Sequence, residues 1–272
     1  MENRVIDDEI VVANSATKLG VECAGRVVLG ASHGAVYAAY LVVRSGARGV
    51  ILNDAGRAKD NSGISGGDYC ANLDVPFAAT DTMSCRIGNG ESAAREGIIS
   101  YANGPAISLG VVIGMPAIDA AYKLTKAPMN EKTSPEYSEA RKELPITSDG
   151  KMVVLMDSIS LVTKQDEGRI IVSGSHGGML GKDPATALKY DAFAGFFHDA
   201  GIGKDGAGIS RLMPLNDRGI VAATVEGMSA RIGDGGSIYS EGIISHLNGM
   251  AKNRGGEIGM PLKDFISILT HE

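Results

Sequence analysis

Apolar residues in this chain come in short unbroken runs, and the runs recur. Ile10-Val-Val-Ala13, Arg26-Val-Val-Leu-Gly30, Gly49-Val-Ile-Leu52 and Val75-Pro-Phe-Ala-Ala-Thr80 punctuate the first half. Met152-Val-Val-Leu-Met156, Arg169-Ile-Ile-Val-Ser173, Phe193-Ala-Gly-Phe-Phe197 and Gly219-Ile-Val-Ala-Ala-Thr224 punctuate the second. Such runs suit strands buried on both faces, the habit of parallel sheets with helices packed on either side. After the first Ser-His-Gly turn, AVYAAYLVVRSG has helical length and ends on Gly46, a residue suited to close a helix. Strand, glycine loop, helix, strand is a βαβ unit, so a mainly parallel sheet with right-handed crossovers is expected. Further helices are expected over roughly 91–103 and 236–248.

The polar positions repeat more faithfully than the apolar ones. Residues 54–65 (DAGRAKDNSGIS) return 145 positions later as 199–210 (DAGIGKDGAGIS), with eight of twelve identical. Residues 83–100 (MSCRIGNGESAAREGIIS) return as 228–245 (MSARIGDGGSIYSEGIIS), with twelve of eighteen identical. Gly30-Ala-Ser-His-Gly34 returns as Ser173-Gly-Ser-His-Gly177, and Gly114-Met-Pro116 as Gly259-Met-Pro261. The expected fold is therefore α/β, a tandem duplication of a roughly 125-residue unit in a pseudo-twofold arrangement. Residues 1–122 would form the first repeat and 151–272 the second. Residues 123–150, polar and proline-punctuated, would form a linker, with a helical turn in SPEYSEARKEL.

Composition narrows the function classes. A net charge of −6 and a pI near 5.4 disfavour a nucleic-acid partner, and few aromatics with no tryptophan make a poor base-stacking platform. No run of eighteen apolar residues exists, so no membrane span is expected. The acidic start, MENRVIDDEIVV, lacks the order of a signal peptide, and a cytoplasmic protein, with homo-oligomerisation open, is expected. Cys23, Cys70 and Cys85 all lie in the first half without CxxC spacing, which suits buried thiols in a reducing compartment. No GxGxxG follows a strand, so no dinucleotide fingerprint is present, and the DAGxxKDxxGIS loop lacks P-loop spacing.

The repeated polar residues fall at the carboxyl ends of the expected strands, where parallel α/β sheets bind ligands. Strand ends supply Ser32, His33, Ser175, His176, Asp54 and Asp199; the following loops supply Lys59, Lys204 and Ser210. A serine can act as nucleophile with a histidine or a desolvated lysine from elsewhere as its base. The same serines can merely cap the next helix, and each lysine can merely pair with its neighbouring aspartate to shape the loop. In SxRIGxG, Arg86 and Arg231 offer a planar fork to a substrate carboxylate, beside Ser84 and Ser229. The plainer alternative has each arginine bridging to an acid, with Glu96 and Glu241 as buried partners.

The copies differ where one asymmetric substrate would need them to. Asn53 becomes His198, Tyr101 becomes His246 and Cys85 becomes Ala230, which favours the second repeat as the catalytic one. His271 is terminal and expected to be solvated. Three readings follow. The leading one is a hydrolase of small-molecule metabolism cleaving a C–N bond in a carboxylate-bearing amide, with no cofactor, at a site built from the loops of both repeats. The second is a metal-dependent hydrolase or lyase, with a divalent ion on His33, His176, His198, Asp54 and Asp199, although no HxH or HExxH pair is present. The third is a two-lobed, non-catalytic binding protein.

Overall fold

The computed structural model describes residues 3–145, 152–181 and 183–270. Its chain resolves into two compact units. Unit 1 is built from residues up to Arg57, Asn61–Ser138 and Gly203–Asp205; unit 2 from Ala58–Asp60, Glu139–Ile202 and the chain from Gly206 onward. Each unit thus contains one short piece of the other repeat's lysine–aspartate loop.

In unit 1 the strands β1 (Arg4–Ile6), β2 (Ile10–Ala13), β3 (Val27–His33), β4 (Gly49–Asn53), β5 (Phe77–Thr80) and β6 (Ile99–Ala102) lie in that spatial order. The central four are parallel, and β1 and β6 run antiparallel at the edges. Strand alternation sends Val27, Leu29 and Ile51 to one face and Val28, Val50 and Leu52 to the other, each under its own helical layer. Helices α1 (Val36–Arg44) and α2 (Gly66–Asn72) cover the second face. Burying Val42 and Val43 of α1 contributes roughly 1.5–3 kcal/mol each. The opposite face is covered by α3 (Gly90–Glu96) and α5 (Ala117–Leu124), with the short α4 (Gly104–Ser108) after β6.

Unit 2 repeats this plan with β7 (Arg141–Pro145), β8 (Met152–Met156), β9 (Ile170–His176), β10 (Ala194–His198), β11 (Val221–Val225) and β12 (Ile244–Leu247). The middle four are parallel, and β7 and β12 are antiparallel edges. Its helices are α6 (Leu212–Asp217), α7 (Gly235–Glu241), α8 (Gly249–Asn253) and α9 (Leu262–Thr270). The chain is an α/β tandem duplication of two similar halves.

Two local expectations require correction, and the second repeat departs from the first at one further point. The helices expected over 91–103 and 236–248 stop at Glu96 and Glu241, and β6 and β12 follow. Gly97 and Gly242 end them: a Cβ there would stand 2.4 Å from the carbonyl oxygen of Ala93 or Ile238, and the isoleucines beyond favour strand. Residues 141–145, expected in a linker with a helical turn, form the edge strand β7, while 146–150 lie outside the described residues. Among the described residues between β9 and β10 no α-helix corresponds to α1; a 3₁₀ turn, Pro184–Ala187, is present there. Counted on from the shared Ser-His-Gly turn, Gly178, Gly181 and Pro184 take the places of Ala35, Ala38 and Leu41, residues that favour the helix. Among the described residues no helix is long and apolar enough to cross a membrane.

Candidate functional site

The repeated loops carry an unusual backbone. Ala55, Arg57, Ala58, Asp60 and Asn61 all have positive φ, as do Ala200, Ile202 and Asp205 in the second copy, where Gly203 and Gly206 relieve two positions. Left-handed residues other than glycine cost about 1 kcal/mol or more each and persist only where the surroundings hold them. The shared glycine of these loops is required by close approach. A Cβ on Gly63 or Gly208 would stand 2.1 or 2.0 Å from the Asp54 or Asp199 carbonyl oxygen.

The aspartates organise this curvature. Asp54 is buried; its Oδ1 accepts from the Gly56 and Thr82 amides at 2.9 and 3.0 Å, and its Oδ2 from the Ser100 hydroxyl at 2.7 Å. Asp199 accepts from the Gly201 amide at 2.9 Å. The serines expected as nucleophiles serve the backbone. Ser32 and Ser175 accept from the amides of Ala16 and Ile159 at 2.9 and 3.0 Å. Ser210 accepts from the Met179 amide at 3.0 Å and donates to the Ala207 carbonyl at 2.8 Å. Ser84 and Ser229 likewise accept from Ile98 and Ile243 amides and donate to the Asp81 and Glu226 carbonyls. Each of these five hydroxyls is thus engaged by a backbone amide.

The loop lysines and the SxRIGxG arginines do meet acids, in two equivalent clusters. In unit 1, Arg86 pairs with Glu96 at 3.0 Å and with Asp205, while Lys204 reaches Glu96 at 3.4 Å and the Ser84 carbonyl at 3.2 Å. In unit 2, Arg231 pairs with Glu241 at 3.2 Å and Asp60 at 2.8 Å, and Lys59 pairs with Glu241 at 3.2 Å. The arginine forks are thus engaged by acids, and each lysine meets a glutamate rather than its neighbouring aspartate. Glu96 and Glu241 are paired but not buried, with about a third of each side chain exposed (36% and 32%). Hydrogen bonds from Ser92 and Ser237, followed by the nearby cations, hold their carboxyls below the usual range. Sequence reasoning missed these two serines, although both are identical between the copies six residues after the arginine.

His198 sits on the floor of unit 2, fully buried. Its Nδ1 accepts from the Ala200 amide at 2.9 Å, and Nε2 lies 3.2 and 3.1 Å from the Gly227 and Ala230 carbonyl oxygens. That pattern defines a neutral ring with its proton on Nε2. Burial depresses its pKa against the opposing pull of Asp199. In unit 1, Asn53 Oδ1 does the same turn-closing work on Ala55 N at 2.9 Å, and its amide nitrogen faces the Cys85 thiol at 3.6 Å. Histidine plus alanine in one copy fills the space of asparagine plus cysteine in the other. His176 is buried and accepts from the Gly178 amide at 3.1 Å, and His33 is partly buried at the end of β3. His271 lies outside the described residues.

A different row separates the two copies more sharply. Across β4, β5 and β6 of unit 1 run Leu52, Ala79 and Tyr101 in register. The matching row on β10, β11 and β12 of unit 2 is Phe197, Thr224 and His246. His246 Nδ1 is buried and has no hydrogen-bond partner among the described residues. Thr224 Oγ1 lies 3.1 Å from the Ser245 hydroxyl. Arg211, 2% exposed, stacks its guanidinium on Phe197 with 5.0 Å to the ring centroid. The polarity of this row is visible in the aligned repeats only as Ala79→Thr224 and Tyr101→His246, and Arg211 replaces Gly66.

Among the described residues no group of three or more histidines, cysteines or acids is placed to hold a metal ion, so His33, His176, His198, Asp54 and Asp199 do not assemble as a ligand set. Comparison with protein-family models, with curated proteins and with solved structures gave no match.

Proposed function

We propose that this protein is an enzyme of small-molecule metabolism, a hydrolase of a C–N bond in a carboxylate-bearing amide, working on the Phe197–Thr224–His246 face of unit 2. The observation that supports it is His246. A buried ring nitrogen without a partner is costly, and such atoms are uncommon in native folds. A substrate or its attacking water would satisfy it, and histidine is the side chain most often used as a general base. In this reading water attacks the amide carbonyl and His246 removes its proton. The tetrahedral intermediate then expels the amine, which leaves with that proton. Thr224, in register with His246, would offer its hydroxyl to the reacting group, and that hydroxyl lies 3.1 Å from the Ser245 hydroxyl. The catalytic roles first assigned to Ser32, Ser175 and Ser210 are replaced by an activated water, because those hydroxyls hold the loops together.

The test is a panel of N-acyl amino acids and dicarboxylic monoamides, with release of primary amine followed fluorimetrically for the wild type and His246→Gln. Release that depends on His246 and falls by about 10²-fold or more in the variant is expected for the loss of a general base. Equal rates from both proteins, with the variant folded, would refute the assignment.

A further inference from the structure

Arg211 is a cation enclosed by protein, and its hydrogen-bond and ring partners among the described residues are neutral. One terminal nitrogen donates to the Ala187 carbonyl and the other to the Gly178 carbonyl, the latter at 2.9 Å. Its guanidinium carbon lies over the Phe197 ring, and its backbone amide donates to the Gly177 carbonyl at 2.8 Å. Its Nε is buried with no partner among the described residues. Burial alone pushes its pKa down to about 10, with no neighbouring acid contributing. A buried charge is ordinarily matched by an opposite one, because desolvation is otherwise uncompensated.

The equivalent position of unit 1 shows what changed. Gly66 also donates its amide to the strand-end glycine, Gly34, at 2.9 Å, but a Cβ there would stand 2.6 Å from Ala39 of α1. Unit 2 has no such helix. Its place in the chain is taken by the irregular residues 177–181 and 183–193, which supply both carbonyls that Arg211 holds. Connections of that length without regular structure are uncommon and often functional.

We infer that Arg211 is the anchoring cation of a carboxylate-binding site in unit 2, approached by displacement of the Gly178 and Ala187 carbonyls from the guanidinium. The inference deepens the proposed function by giving the substrate's carboxylate a partner, and rests on that reading for the location of the site. The open Nε–H edge, together with a second N–H of a terminal nitrogen, matches the two oxygens of a carboxylate side-on. One guanidinium supplies one positive charge, which suits a monoanion rather than a phosphate dianion. Arg86 and Arg231, first assigned to this role, are already engaged by acids.

Sodium acetate is the probe, exchanged for sodium chloride at constant ionic strength. The Nε–H resonance of Arg211 in the wild-type protein, assigned through bonds from its backbone amide, reports the contact directly. A saturable shift with a midpoint of about 1–10 mM is expected for so small a ligand, and Arg211→Lys should raise that midpoint about tenfold or more. No shift of the wild-type resonance, or an equal shift with inorganic phosphate, overturns the inference, and neither observation requires the variant to fold. The titration needs no turnover. Acetate binding without amine release would sink the hydrolase and leave this site standing; His246-dependent release without acetate binding would do the reverse.

Discussion

Exchange of two residues between the repeats offers a quantitative check on the buried floor of unit 2. His198→Asn keeps an acceptor for the Ala200 amide but strips the Nε2 proton from the Gly227 and Ala230 carbonyls. Leaving a buried acceptor unmet costs roughly 1–3 kcal/mol. The lost ring atoms leave a void that adds about 1 kcal/mol at the usual cost per unit of cavity volume. The single variant should therefore lose about 2–4 kcal/mol. Ala230→Cys alone drives a sulfur against an intact ring and should cost about 1–3 kcal/mol by overpacking. The double variant recreates the Asn53–Cys85 pair of unit 1, lacking only the hydroxyl of Thr80 to which Cys85 donates. Its cost should fall short of the sum of the singles by at least about 2 kcal/mol, measured by urea unfolding monitored at several wavelengths. Additivity within about 0.5 kcal/mol would show that the two sites do not share a space. The same series carries a pH signature. Burial lowers the His198 pKa in the folded state, so below the unfolded value of about 6.5 the unfolded chain binds more protons. The wild type should lose stability relative to the double variant as pH falls below about 6.5, and the difference should be flat above it.

Ala58→Gly should stabilise the protein by about 0.5–1 kcal/mol, because Ala58 sits at φ 58° where the second copy carries Gly203; a lower melting temperature would contradict the strain argument. Asn248→Ala should destabilise by about 2–4 kcal/mol in chemical denaturation, since one side chain caps α8 through Ala251 N and also joins Ala222 N to the Ile220 carbonyl. Arg86→Ala and Arg231→Ala should both remain folded, each losing no more than about 1 kcal/mol because the pairs are partly exposed. Their effects on turnover should be unequal, with Arg231 the more damaging; complete unfolding of both would make these arginines structural supports.

The architecture was legible because apolar runs mark buried parallel strands whatever else changes, and both sets of four central strands fall where the runs do. Helix ends were less legible. The EGIIS segments read as helical by length, yet Gly97 and Gly242 break them and the paired isoleucines enter the sheet. The site was legible as a region rather than as a mechanism. Identity between copies found the loops, the arginines and the lysines, but identity selects what both copies need, and much of that is scaffolding: serines that receive backbone amides, aspartates that curl a left-handed loop. The features that distinguish unit 2 lie at unmatched positions. Thr224 opposite Ala79 carries no signal until the register of β10, β11 and β12 sets it beside Phe197 and His246, and Arg211 opposite Gly66 carries none until α6 brings it over Phe197.

All three thiols of the chain belong to unit 1, and each is fully enclosed, with burial raising its pKa. A thiol reagent in solution therefore meets nothing until that unit opens, and unit 2 stays silent to it whatever it does. Without any engineering, the protein carries a chemical clock for the breathing of one of its two halves. Cys23 in the 3₁₀ turn Val21–Cys23 before β3, Cys70 in α2 and Cys85 beyond β5 would each time the release of a different element.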